Sequence, residues 1–405
     1  MGRRTALARR AGRTASWLSR RIGAGEGEVI GGEVALRLDP SLLRRLATGR
    51  RVALVSGTNG KTTITALLAA ALAAGGSTST NATGANLVNG LAGALLVGNT
   101  TFAALETDEA VLPFAIGEVH PEVVVLSNLS RDQLDRLHEV HQTARAWRAA
   151  LETRPDIAVV ANADDPVVAW VAEGLTTTWV GAGQSWRLDA TTCLACGGGI
   201  EFHHDGWMCT GCGRRRPEVD YALDGNGLAC RGGASYVLDL SLPGRINRAN
   251  AAMALAATEL LQVDAAAALA RWRGVADIAD RYRVVEHDGR PVRLLMAKNP
   301  ASWLEVLELL ERNDGPVVIG LNARVQDGLD PSWIWDVPFE RLRHREVVCS
   351  GERADDLAVR LAYAGIDYTF APDLRDALVA TLPQRVDVAA NYSAFQQVRK
   401  VVASA

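Results

Sequence analysis

Lysine is nearly missing from this sequence. It occurs only at Lys61, Lys298 and Lys400, so almost all of the 43 basic residues are arginine. Cysteine is scarce as well. Of six residues four sit in one cluster, which excludes a disulfide-built scaffold. No apolar run reaches the roughly 18 residues that cross a bilayer; the most apolar stretch, Ala66 to Ala74, stops at Gly75-Gly76. Nor does one sign of charge dominate. The 43 Lys and Arg face 46 Asp and Glu, a net charge of −3, which argues against a nucleic-acid partner. What is present, 405 residues with 48% hydrophobic and 22% charged, suits a soluble, cytoplasmic protein of two or three domains. Residues 1–25 carry seven Arg and no acid. A transit peptide or a membrane-surface helix has that composition. No cleavage signature follows, however, and the segment reads better as a basic arm or first helix packed on its domain.

From Arg51 the pattern alternates. Val52–Ser56, Phe102–Leu105, Val123–Leu126 and Ile157–Ala161 are short apolar runs that predict buried strands. Thr62–Ala74, Asp132–Leu151 and Pro166–Ala172 read as helices among them, which implies parallel βαβ units. Residues 184–240, rich in Gly, Cys and polar runs, predict a small inserted module with hairpins. Helices return at Asn247–Leu261 and Ala265–Trp272. A second series then places strands at Val317–Leu321, Glu346–Ser350, Asp367–Phe370 and Val386–Ala390, with helices at Ala354–Ala364, Leu374–Leu382 and Ser393–Val402.

The strongest local signal is Ser56-Gly57-Thr58-Asn59-Gly60-Lys61-Thr62-Thr63, between the first strand and its helix. Gly57 and Gly60 let successive N–H groups turn toward an anion, and the helix N-terminus adds its dipole. Lys61 is placed to reach the β- and γ-phosphates of a nucleotide, and the Thr62 hydroxyl to ligate Mg²⁺. Val55 stands where the strict P-loop pattern has its first Gly. Glu106, Asp108 and Glu109 end the strand at Phe102–Leu105, and carboxyl strand ends of such sheets are where ligands bind.

Cys193-Leu-Ala-Cys196 and Cys209-Thr-Gly-Cys212 are two C-x-x-C pairs with twelve residues between them. Four thiolates in two tight turns make a closed tetrahedral Zn²⁺ shell, a structural site with no open position. Two redox pairs or fortuitous clustering are the alternatives. Cys230 and Cys349 read as ordinary buried thiols.

As a set these segments resemble the Mur ligase superfamily. Besides the phosphate loop, Asn128-Leu-Ser-Arg-Asp-Gln-Leu-Asp-Arg136, Asn162-Ala-Asp-Asp-Pro166 and Gly244-Arg-Ile-Asn-Arg-Ala-Asn250 follow in the family's order. The Cys cluster, Ala297-Lys-Asn-Pro300 and Asn322–Asp336 narrow the likeness to the MurT family. That resemblance implies an α/β fold: a basic N-terminal arm (1–45), a central P-loop ATP-binding domain (46–274) with an inserted Cys₄ zinc ribbon (about 184–240), and a Rossmann-like C-terminal α/β domain (275–405). It further implies an ATP-dependent carbon–nitrogen ligase. Such an enzyme amidates the D-isoglutamate α-carboxylate of the lipid II stem peptide through an acyl phosphate. Glu106 matches the family's Mg²⁺-site Glu, Asn247 its adenine contact and Arg281 an Arg near the interdomain hinge. Ammonia is implied to come from a GatD-like glutaminase, whose Cys/His pair is completed by an Asp of this chain. Asp327, Asp330 and Asp336 are the candidates, with Asp330 the choice. The protein is then expected in the cytoplasm, at the inner face of the membrane where lipid II resides.

Three departures qualify the likeness. Gln133 replaces a family His, no lysine lies between Lys61 and Lys298 to be carbamylated, and only about fifty residues precede the loop, too few for a UDP-gripping domain. The alternative is a relative that adds an amino acid, of folylpolyglutamate synthase type.

Overall fold

The computed structural model describes residues 3–23, 25, 27–81, 84–131, 140–275, 282–381 and 385–403. They form two compact units, Met1–Leu129 with His138–Ala279, and Ser130–Leu137 with Asp280–Ala405.

The first unit opens with three helices, α1 (Arg3–Arg21), α2 (Glu28–Leu38) and α3 (Leu42–Ala47). The basic segment is thus a helix packed on its own domain. A Cβ at Gly12 would lie 2.6 Å from the Gly31 carbonyl oxygen, so α1 and α2 meet backbone to backbone. The sheet then begins with β1 (Arg51–Ser56), followed by α4 (Lys61–Leu72), β2 (Thr78–Thr80), α5 (Val88–Leu95), β3 (Phe102–Glu106), α6 (Leu112–Val119), β4 (Val123–Leu126), α7 (Val140–Glu152), β5 (Ala158–Asn162), α8 (Pro166–Ala172) and β6 (Thr177–Gly181). These strands are parallel. Both faces are apolar, as parallel sheets covered by helices require. In β1, Val52 and Leu54 face one core while Ala53 and Val55 face the other. The period-2 alternation therefore separates two buried layers rather than core from water.

The insert only partly forms a separate module. β7 (Ile200–His203) and β8 (Gly206–Cys209) make a hairpin of their own. Contrary to expectation, β9 (Tyr221–Asp224), β10 (Gly227–Cys230) and β11 (Ser235–Val237) extend the main sheet past β6, giving the order β11-β10-β9-β6-β5-β4-β1-β3-β2. Pairing with β6 gives β9 a covalently distant partner that no local pattern announces. Two Ala-rich helices, α9 (Arg245–Leu260) and α10 (Ala265–Trp272), cover the face that α4 also covers. Small side chains allow close approach, and Ala251, Ala252 and Ala254 are fully buried.

The second unit has an antiparallel edge pair, β12 (Tyr282–His287) and β13 (Arg290–Met296), then α11 (Pro300–Leu310), β14 (Val317–Gly320), β15 (Val347–Ser350), α12 (Ala354–Tyr363), β16 (Tyr368–Phe370), α13 (Leu374–Ala380), β17 (Val386–Ala390) and α14 (Tyr392–Ala403). Its sheet order is β12-β13-β17-β14-β15-β16, parallel from β13 onward. Gly365 follows α12 with φ 67°, a left-handed cap that glycine adopts without strain. At its centre Asp387 holds Arg293 at 2.7 Å and Arg345 at 3.2 Å. The two guanidiniums also donate to the carbonyls of Leu309 and Leu310, so neither burial leaves an unpaired charge.

Candidate functional site

β1 has β3 on one side and β4 on the other, a topological switch point, and ligands of open α/β sheets bind beyond the carboxyl ends of such strands. The loop 56–63 stands there. Gly57 (φ 140°) and Gly60 (φ 87°) occupy backbone regions that disfavour a Cβ, and there is no room for one. At Gly57 it would lie 2.0 Å from Ser127 Oγ, and at Gly60 2.5 Å from Asn250 Oδ1. Asn250 is therefore part of the loop's wall. Gly60→Ala should cost about 1–2 kcal/mol from backbone strain alone. A lowered unfolding midpoint checks this, and an unchanged midpoint would mean the loop does not hold this conformation.

The loop is braced from the end of β4. Thr58 N donates to Asn128 O (2.9 Å) and Asn59 N to Asn128 Oδ1 (3.0 Å). Ser127 Oγ (2.8 Å) and Asn128 Nδ2 (2.9 Å) both donate to Asn59 O. Ser127 was not singled out from sequence, and Asn128 only as the first residue of a matching segment. Helix α4 starts directly behind Gly60 with no side-chain cap, which leaves first-turn N–H groups for another acceptor. Thr62 and Thr63 are buried in that turn.

Lys61 is buried. Its Nζ donates to Gly57 O (2.5 Å) and Thr58 O (3.3 Å) and lies 3.1 Å from Glu109 Oε1. Glu106, one position beyond Leu105, pairs in register with Val55 at the loop's root. Its backbone is fixed by Asn81, which accepts from Glu106 N (2.7 Å) and donates to Glu106 O (2.8 Å); Asn86 donates to Oε1 (3.4 Å). Among the described residues, Glu106 Oε2 and Thr62 Oγ1 are both buried without a hydrogen-bond partner. Leaving such oxygens unsatisfied is costly, and hard oxygen donors are what Mg²⁺ takes, so each is of the type that would ligate the ion. The other two acids are employed otherwise. Asp108 Oδ1 accepts from Ala110 N at 3.0 Å, and Glu109 balances Lys61.

The turn after β5 couples this region to the Cys hairpin. Asp165 is fully buried; Oδ1 caps α8 at Val167 N (2.8 Å) and Oδ2 accepts from Leu129 N (2.9 Å). Burial pushes its carboxyl up to about 6 against these donors. Asp164 accepts from Gly183 N (2.6 Å) and Arg216 Nε (2.5 Å), and Trp207 Nε1 of β8 donates to Ala163 O (2.9 Å). The four sulfurs of Cys193, Cys196, Cys209 and Cys212 lie within 4.8 Å of one another. The closest approaches, Cys196 to Cys209 at 3.5 Å and Cys193 to Cys212 at 3.8 Å, run between the two turns and exceed an S–S bond. Gly198 N and Gly211 N point at Cys196 Sγ (3.3 Å) and Cys209 Sγ (3.4 Å). The four sulfurs are thus placed so that one metal ion could be held between them.

Asn247 is half-buried in the first turn of α9, donating to Pro243 O at 2.6 Å. Arg281 and Gln133 lie outside the described residues. Of the three C-terminal acids, Asp327 is taken up by bonds within its own unit. It is buried and accepts from Ser393 N (2.8 Å) and from the Ser393 hydroxyl, fixing the turn to the start of α14. Asp330 and Asp336 are exposed, on either side of the buried Trp333; Asp330 Oδ1 caps Ser332 N at 2.8 Å.

Comparison with known proteins decides the family. The Mur ligase middle domain matches residues 55–258. The chain belongs to the Mur ligase family. Within it, the MurT ligase C-terminal family matches residues 296–395. Subunit MurT of the glutamine-hydrolysing lipid II isoglutaminyl synthase of Streptococcus pneumoniae is 28% identical, over 100% of this chain and 98% of its own. The Staphylococcus aureus (strain COL) subunit is 27% identical over 90% and 88%. Among solved structures, a pseudomurein peptide ligase type C from Methanothermus fervidus superposes with TM-score 0.73 at 17% identity, over 90% of this chain and 81% of that one. This Mur ligase thus carries a MurT-type C-terminal domain on the family's shared core.

Proposed function

We propose that the chain is the ligase half of a glutamine-driven amidotransferase that converts the D-isoglutamate α-carboxylate of the lipid II stem peptide to its amide. A carboxylate oxygen attacks the γ-phosphorus of ATP, ADP leaves, and ammonia displaces phosphate from the acyl phosphate with loss of a proton. The loop's N–H groups and Lys61 hold the transferring phosphoryl, where positioning and charge stabilisation do most of the catalytic work. Thr62 and Glu106 would hold Mg²⁺, which supplies positive charge against the phosphates. The observation that carries this reading is the pair of orphaned buried oxygens, Thr62 Oγ1 and Glu106 Oε2, at the root of a loop with a buried lysine.

Nitrogen supply supports the same reading. A glutaminase needs an activated, accessible thiolate. Cys349 is buried, donates to Ala354 O at 3.1 Å and is pushed up to about 12; Cys230 is raised by burial too. The other four thiols are in the cluster. A separate GatD-like subunit therefore delivers ammonia, with Asp330 completing its triad. The exposed Val325, Leu329 and Trp335 around Asp330 suit such an interface. Lipid II makes the enzyme peripheral to the membrane; no described helix is long and apolar enough to cross one. The amino-acid-adding alternative lacks support from any lysine between Lys61 and Lys298.

Zn²⁺ fills the cysteine cluster, where metal binding supplies folding energy to a hairpin with little core of its own. Purified protein is expected to hold about one zinc per chain. Stripping it with a strong chelator, or Cys212→Ser, should loosen the hairpin and lower the unfolding midpoint. Metal-free protein with the same midpoint would dispose of the structural role. The activity itself is tested by mass spectrometry of lipid II incubated with the chain, ATP, Mg²⁺ and ammonium: the account expects a product about one mass unit lighter, and unchanged lipid II contradicts it.

A further inference from the structure

We propose that the outward face of α1 is a contact surface for an anionic lipid bilayer. The residues α1 buries against its domain are small: Thr5, Ala8, Gly12, Ser16 and Ser19. Those it turns outward are large. Leu7 is 61% exposed, Trp17 52% and Leu18 50%, with Ile22 at 69% just past the helix end. At 100° per residue, Arg3, Leu7, Arg10, Trp17 and Arg21 share one stripe opposite the buried one.

Charge selects the occupant. α1 holds seven Arg and no acid in a chain whose net charge is −3, so the rest of the chain is net acidic; Arg4, Arg9 and Arg13 donate back to the domain, while Arg3, Arg10 and Arg21 stand on the outward stripe. The Arg21 guanidinium lies 5.2 Å over the Trp17 ring, presenting cation and indole together. A helix with large apolar residues and arginines on the same exposed stripe lies in the headgroup layer, with indole and leucine at the acyl boundary and guanidiniums on phosphates. A purely solvating face would need no leucine and tryptophan half in water. The surface deepens the substrate reading above, since it would hold the enzyme where lipid II resides, but it is argued from α1 alone.

The test is flotation of the full chain with vesicles of phosphatidylglycerol and phosphatidylcholine, against phosphatidylcholine alone. Binding is expected only to the anionic vesicles and should weaken with salt. Arg10→Glu with Arg21→Glu should reduce it at least about tenfold, and Trp17→Ser should weaken it independently. Amidation of a short-chain, water-soluble lipid II analogue should be unchanged in these variants, which separates this proposal from the catalytic reading. Equal binding to neutral vesicles, no binding to either, or variants that bind as wild type would overturn it. So would variants that keep vesicle binding yet no longer co-purify with a glutaminase, because the face would then be a protein interface.

Discussion

Lys61→Ala lowers ATP-dependent amidation by at least about 10²- to 10³-fold, the cost of removing one preorganised charge donor from a phosphoryl-transfer site. Lys61 is the only lysine in the first 297 residues, and its ammonium is buried against loop carbonyls rather than displayed in water. A cation held among the Gly57 and Thr58 carbonyls and Glu109 is already desolvated, so its attraction for incoming phosphate oxygens is little screened. The variant should remain folded, because Glu109 keeps access to solvent once its partner is gone. Lys61→Arg should rescue poorly, since a planar fork does not occupy the site of a compact ammonium. Rates with ATP and ammonium check the point without involving a glutaminase. Wild-type turnover in Lys61→Ala would remove the loop from the mechanism.

The second large effect is selective. Asp330→Asn should depress glutamine-driven amidation by about 10²- to 10⁴-fold, the range seen when a triad acid can no longer orient its imidazole. Ammonia-driven amidation should stay close to wild type. The substitution is a clean one because Asn retains an oxygen to cap Ser332 N, so the turn survives. Asp336→Asn is the companion control and should be near neutral. Asp327→Asn is not informative, since its buried bonds to Ser393 fix the fold. Equal loss of both activities in Asp330→Asn would refute the triad role.

Residues whose role is local were readable from sequence, and those acting across long separations were not. β1 and β4 are short apolar runs because both of their faces are buried, and the glycines at 57 and 60 announce the turn between β1 and α4. The brace on that turn comes from Ser127 and Asn128, about seventy residues away, and side chain–backbone bonds of that range leave no periodic trace. The bonds of Asp327 are of the same long-range kind: Asp-Gly looks like turn chemistry, while its partner Ser393 is 66 residues on. The strands β9 to β11 were legible as hairpins, but short half-buried strands do not say which sheet they join. β2, three residues of Thr and Ser on the sheet edge, offered no apolar run at all. The acids of Glu106-Thr-Asp-Glu109 could be located but not sorted. Only packing shows that, among the described residues, Glu106 alone of the three keeps a buried oxygen without a partner.

The central claim is that the carboxylate is activated by phosphorylation at the Gly60 loop. The most direct measurement follows an isotope. A lipid II analogue whose isoglutamate α-carboxylate carries ¹⁸O is turned over with ATP, Mg²⁺ and ammonium, and the inorganic phosphate is analysed by mass spectrometry. If an acyl phosphate forms, each phosphate released with an amide carries one oxygen from the carboxylate, and Lys61→Ala yields almost none. Amide formation accompanied by unlabelled phosphate would contradict the account.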